Sequence, residues 1–177
     1  MCKLYWTDCL DQTLISLRKS DLRPKIAILG IGQELRGDDA AGVATARALR
    51  SLPSLQNHET QQSSAVLIID AGPAVENFTG TLRRFAPDLV ILVDAASMDA
   101  SPGTIRWLDW HTAGGLSAAT HSLPLSVFGN YLVEELGCQV VLIGIQPSTT
   151  TLDTPLSPAV QRAVEEVILT LSQKVLM

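Results

Sequence analysis

Much of what would classify the chain at a glance is missing from it. Of 177 residues only 18% are charged and three are cysteine: Cys2, Cys9 and Cys138. An odd, scattered set of thiols builds no disulfide framework, and no CxxC pair offers a zinc knuckle. The expectation is a cytoplasmic protein with reduced thiols that act as small apolar fillers. No stretch approaches the ~18 uninterrupted apolar residues of a membrane span. Residues 1–25 mix charges with Trp6, Leu10 and Leu14 and lack the apolar run of a secretory leader, so none is expected. Net charge is −5 with no run of like charges, whereas a nucleic-acid binder carries a basic stripe. Three catalytic signatures are absent as well. HExxH and GxSxG do not occur, and GxGxxG fails because Leu35 stands where its last glycine belongs.

What is present is an apolar chain. Hydrophobic residues make up 46% and mean hydropathy is +0.23, enough for one sizeable core in one domain. Short continuous apolar runs occur at 26–31, 66–69, 89–93 and 140–143, each bounded by glycine or a polar residue. Helical patterns lie between and around them, at 7–19, 40–52, 74–86 and 122–136, and from 158 onward. Ser157-Pro158 reads as an N-cap followed by proline at the first helical position. Ser122 reads as the N-cap of the preceding helix. Residues 104–108 alternate like a strand with one wet face. Residues 56–64 read as an exposed polar loop. Continuously apolar strands interleaved with helices predict a mostly parallel sheet covered on both faces. The fold class is therefore α/β: a three-layer α/β/α sandwich of about five strands, with 104–108 as the antiparallel or edge member.

In such sheets ligands bind outside the carboxyl ends of the strands. The polar residues that follow the apolar runs are Asp38 and Asp39, then Asp70, then Asp94 and Asp99, and finally Gln146. Carboxylates at one sheet edge repel each other and commonly hold a cation or share protons. Two aspartates at the start of a helix would also repel a pyrophosphate, which disfavours a nucleotide site. Helix capping accounts for one of the pair but does not require both. Of the three histidines, His58 falls in the polar loop and His111 has no evident partner. His121 lies just before a helix that starts at the same sheet edge. With Asp39 and Asp94 it completes a set of two carboxylates and one imidazole, which suits nickel, zinc or iron.

These residues resemble a known family. The stretch Gly30-Ile-Gly-Gln-Glu-Leu-Arg-Gly-Asp-Asp-Ala-Ala-Gly42 is similar to the opening motif of the nickel–iron hydrogenase maturation endopeptidases, and most similar to their hydrogenase 3 branch. Ile68-Ile-Asp70-Ala-Gly72, Val93-Asp94-Ala95, Thr120-His121-Ser-Leu-Pro124, Leu142-Ile-Gly-Ile-Gln146-Pro147 and Pro155-Leu-Ser-Pro158 follow in the family's order. The resemblance spans residues 25–176 and divides the chain into an N-terminal helical extension, 1–24, and a protease domain, 25–177. It implies a phosphorylase/hydrolase-like α/β/α fold and a peptidase without a standard nucleophile triad. The enzyme would remove a C-terminal tail from the hydrogenase large-subunit precursor after nickel insertion. The family's metal ligands carry over to Asp39, Asp94 and His121. The first of these is commonly glutamate, and aspartate is one methylene shorter. Gln33 and Ala40 replace the family's usual asparagine and glycine.

The resemblance also implies a role for the metal. Nickel travels with the precursor and is recognised by the enzyme, although a purified sample could carry another divalent ion. A carboxylate acts as general base on water, with Asp38 and Asp70 as the candidates. The alternative is a nickel-dependent docking or checkpoint protein that binds the precursor without cutting it. The expected partner in both is the nickel-loaded precursor, with no nucleic acid and no membrane, and the expected state is a monomer.

Overall fold

The computed structural model describes residues 5–17, 23–52, 65–111 and 124–176. The apolar runs become β1 (Ile26–Ile31), β2 (Val66–Gly72), β3 (Leu89–Ala95) and β5 (Gln139–Ile145), joined by β4 (Ile105–Leu108). The helices are α1 (Trp6–Leu17), α2 (Ala41–Arg50), α3 (Thr79–Phe85), α4 (Leu125–Leu136) and α5 (Pro158–Val175). The sheet order is β2-β1-β3-β5-β4, with every pair parallel except β4 against β5. This is the expected three-layer α/β/α arrangement, with the 104–108 strand as its antiparallel edge. The helix expected from residue 122 begins at Leu125, with Pro124 in the N-cap position; Ser122 lies outside the described residues, as does the polar stretch 56–64.

Strand alternation sorts the side chains into two apolar layers. On one face Ile26, Ile28, Leu89, Ile91, Val93, Val141 and Ile143 pack against α1, α2 and α5. On the other face Ala27, Leu29, Val90, Leu92, Val140 and Leu142 pack against α3 and α4. Strands covered on both sides have no room for a wet position, which is why the runs are continuously apolar. The segment 1–24 contributes α1 to the first of these layers, through buried Trp6, Leu10 and Leu14. Trp6 Nε1 also donates to Glu166 on α5 at 3.0 Å, and Lys174 Nζ bonds Asp11 at 2.6 Å. Among the described residues no helix is long and apolar enough to cross a membrane.

One close approach sets the position of everything at the carboxyl edge. A Cβ built on Gly42, in the first turn of α2, would lie 2.1 Å from Val93 O and 2.4 Å from Ile31 O. A Cβ on Gly30 would lie 2.1 Å from Gly42 O. The helix start therefore rests directly on the backbones of β1 and β3. The chain turns from β1 outward to β2 on one side, while β3 lies on the other. The carboxyl ends of β1 and β3 thus form the switch point of the sheet, where its crevice opens.

Gly42→Ala forces one methyl group into two backbone carbonyls. It should lower unfolding stability by about 1–3 kcal/mol. Urea titration followed by circular dichroism measures this, and an unchanged midpoint would mean that α2 can lift without cost.

Candidate active site at the carboxyl edge

The segment after β1 leaves the strand through Gly32, at φ +131°, where a Cβ would sit 1.8 Å from Asp39 O. It re-enters regular structure through a 3₁₀ turn, Gly37–Ala40, which packs against β3. The paired aspartates sit in this turn. Neither caps α2, whose N-cap position is held by Ala40 with no side-chain bond, so capping explains neither residue.

The two neighbours meet opposite environments. Asp38 is wholly buried at 0% exposure, yet its carboxylate is surrounded by donors. Oδ2 accepts from the Ser148 amide at 2.8 Å, the Thr149 amide at 3.1 Å and the Ser157 hydroxyl at 2.9 Å, while Oδ1 accepts from the Ser157 amide at 2.6 Å. Asp39 is 2% exposed, and its Oδ2 accepts from the Gln33 amide at 3.0 Å. Its Oδ1 is buried with no hydrogen-bond partner among the described residues. Burial pushes the Asp39 carboxyl above the ordinary carboxylate range, against the opposing pull of the Gln33 amide and the Arg36 charge.

Asp94 is the last residue but one of the wholly buried strand β3 and is 1% exposed. By alternation it shares the face of Val90 and Leu92, on which α4 packs. The Gly42 contact seats the start of α2 on Val93 O, one residue before Asp94, and the turn that carries Asp39 packs against the same strand. The loop that follows Asp94 is held by Gln146, whose Oε1 accepts from the Met98 amide at 2.7 Å and the Ala100 amide at 3.3 Å. Arg106 Nη1 adds a bond to Met98 O at 3.2 Å.

Asp70 lies near the carboxyl end of β2, two residues before its last, and pairs with Gly30 of β1. It faces α2, where Arg47 Nε donates to its Oδ2 at 2.6 Å. The same guanidinium forks onto Glu34, with Nη2 to Oε2 at 3.0 Å and Nη1 on the other oxygen. This pairing holds the Glu34 carboxyl below its usual range and raises Arg47 further. Glu34 and Arg47 are well exposed, so the fork orients more than it stabilises. The Asp70 side chain keeps 19% exposure and thus contact with water.

His121 lies outside the described residues, as does His58. Among the described residues no group of three or more His, Cys, Asp or Glu side chains gathers at metal distance. His111 does have partners: its Nδ1 lies 2.6 Å from Asp109 Oδ1 and its ring stacks on Trp110 at 3.7 Å. It follows β4, which runs against the parallel strands and leaves toward their amino ends, away from this rim.

Known proteins resemble this chain in sequence and in fold. A family model described as HycI, hydrogenase maturation protease, matches residues 50–174. The hydrogenase 3 maturation protease of Escherichia coli K12 is 30% identical over 141 residues, covering 79% of this chain and 84% of its own. HycI of Thermococcus kodakarensis KOD1, a NiFe hydrogenase maturation protease, superposes with a TM-score of 0.74 at 31% identity, covering 92% of this chain and 98% of that one. The hydrogenase maturating endopeptidase HybD of Escherichia coli gives a TM-score of 0.63 at 25% identity, over 85% of this chain and 94% of its own. The chain belongs to the hydrogenase maturation protease family. It is accordingly a hydrolase of peptide bonds.

Within this family member, several contributors to the site escape a reading by sequence. Ser157 reads as the N-cap of α5, and its hydroxyl does accept from the Val160 amide at 3.5 Å. Its second duty toward Asp38 depends on the fold alone. Glu34 and Arg47 carry no local signal that they would meet Asp70. Gln146 stands out only because it directly follows a buried strand.

The Asp39 environment gives a signed prediction. A carboxyl raised by burial contributes stability that is complete below its unfolded value and is lost as pH rises through its folded value. The charged form of the group therefore weakens the fold relative to the neutral form. Asp39→Asn should show a urea midpoint at pH 7 equal to or above that of the wild type, the difference closing below the ordinary carboxyl range. A lower midpoint at pH 7 would make Asp39 a structural anchor.

Proposed function

We propose that the protein removes the C-terminal tail of a nickel–iron hydrogenase large-subunit precursor, and does so only after nickel has been inserted. Nickel is then part of the substrate. The precursor's own thiolates hold it, and the rim formed by Asp39, Asp94 and His121 takes an open coordination position. The observation that carries this reading is Asp39 Oδ1, a buried carboxylate oxygen without a hydrogen-bond partner among the described residues, in the turn that packs against β3. A desolvated carboxylate of that kind gains most from an arriving cation. Carboxylate oxygens with one imidazole are a donor set that a borderline divalent ion accepts.

Docking through the metal fixes the scissile bond against the enzyme, a proximity effect that is absent when nickel is absent. Conditional cleavage follows without any moving part. The two candidates for the general base are unequal. Asp38 has both carboxylate oxygens engaged by four donors and is closed to water. Asp70 reaches solvent, and Arg47 orients it. Asp70 is therefore the carboxylate we assign to activating water.

Mass spectrometry of the precursor after incubation, with and without nickel loaded, tests the reading. Loss of a C-terminal peptide from the loaded form alone supports it. Stable binding without mass loss replaces it with the docking role, and cleavage of both forms removes nickel from recognition. Asp94→Asn and His121→Ala should each reduce processing about 100-fold or more with circular dichroism unchanged. Full-rate processing by either would take that residue out of the rim.

A further inference from the structure

Asp39 does little to fix itself. One amide bond holds its Oδ2, and its turn has no capping side chain at either end. The orientation of its carboxylate must therefore come from the turn, and the turn is held from across the molecule. The segment after β1 and the segment between β5 and α5 are bonded along their length. Asp38 N–H donates to Thr149 O at 2.9 Å, Asp153 N–H to Leu35 O at 2.8 Å, and Arg36 Nε to Thr150 O at 3.4 Å. They also touch at Gly37, at φ +55°, where a Cβ would lie 2.6 Å from Thr154 Oγ1.

At the centre of this seam is the Asp38 carboxylate, with three amides and one hydroxyl on its two oxygens. A buried charge is retained only when its lone pairs are matched in this way, and a matched polar network fixes one arrangement where apolar packing would tolerate several. Ser157 supplies two of the four bonds from 119 residues away along the chain.

We propose that Asp38 and Ser157 form a latch whose task is to position Asp39: Asp38 is a positioning residue, and Ser157 sets the geometry of the nickel-facing rim from the start of α5. The latch rests on the reading of Asp39 as a nickel-facing ligand. It adds that nickel recognition depends on the β5–α5 segment, which contributes no ligand. It also explains why two aspartates stand side by side. The first holds the turn, and the second is presented by it.

The test uses the full chain and nickel chloride as the probe, with affinity read by isothermal titration calorimetry and folding by thermal unfolding. Ser157→Ala removes one bond to Asp38 and should weaken nickel binding about tenfold. Ser157→Thr keeps the hydroxyl and should restore it. Asp38→Asn cannot accept all four bonds and should weaken binding at least as much. Ser157 also caps α5, so Val164→Ala, which destabilises the same helix two turns on, is the control and should leave nickel affinity unchanged. In processing assays Ser157→Ala should raise KM for the loaded precursor more than it lowers kcat. If Asp39→Asn abolishes nickel binding while Ser157→Ala and Asp38→Asn bind as the wild type does, the latch is overturned and the rim stands. If Asp39→Asn binds nickel as the wild type does, the rim reading falls and the latch with it.

Discussion

The carboxyl edge of this protein depends on a contact between backbones. Gly42 seats the first turn of α2 on the carbonyls of Ile31 and Val93, and Gly30 accepts that turn from below. A Cβ at either position would lie 2.1 Å from a backbone carbonyl oxygen, so the helix start would have to shift. With the helix down, the turn Gly37–Ala40, which carries Asp39, is held against β3, the strand that contains Asp94. The rest of the edge is built around this placement. Ordinary α/β packing leaves a crevice where the chain order reverses, and the glycines decide which residues reach into it.

Into that crevice the fold delivers two adjacent aspartates with contrasting surroundings. Asp38 is saturated with donors, and Asp39 is short of one among the described residues. Hydrogen bonds to the charged form favour it, and bare burial opposes it, so the same side chain is comfortable at one position and uncomfortable at the next. The discomfort is local. Four bonds to Asp38 lock the surrounding segments, so the turn cannot rearrange to hydrate Asp39 without giving up a buried, matched charge. A desolvated carboxylate that cannot relax stays ready for a cation.

The architecture was legible because both faces of the sheet are covered. Strands such as Leu89–Ala95 have no wet side, so residues 89–93 appear as an unbroken apolar run, and the one strand with alternation proved to be the antiparallel edge. The residue after each run then locates the rim, which is how Asp70, Asp94 and Gln146 come into view from their positions along the chain. The N-cap at Ser157 was equally visible, because serine before proline is a local signal. What could not be read was every pairing between distant segments. Nothing near Asp38 announces Ser157, and nothing near Asp70 announces Arg47, since each pair exists only once the strands are ordered. Local rules also misled in one respect: aspartates at a helix start suggest caps, yet a 3₁₀ turn intervenes and Ala40 takes the N-cap position. The segment 1–24, set apart by the limits of the resemblance, supplies α1, whose Trp6, Leu10 and Leu14 share a core layer with Ile28 and Ile91.

A rim of this kind favours a substrate by what it withholds. Under the proposed reading, a precursor without its metal meets a buried carboxylate it cannot satisfy, and the encounter leaves that oxygen as desolvated as before. A loaded precursor brings the one group that turns the penalty into attraction. Discrimination then comes from the difference between two docked states, and an unpaired polar atom makes that difference larger than added attraction alone would. Asp39 Oδ1, without a hydrogen-bond partner among the described residues, is on this argument the element that makes the protease wait for the metal, and the saturated carboxylate of Asp38 is what keeps it so.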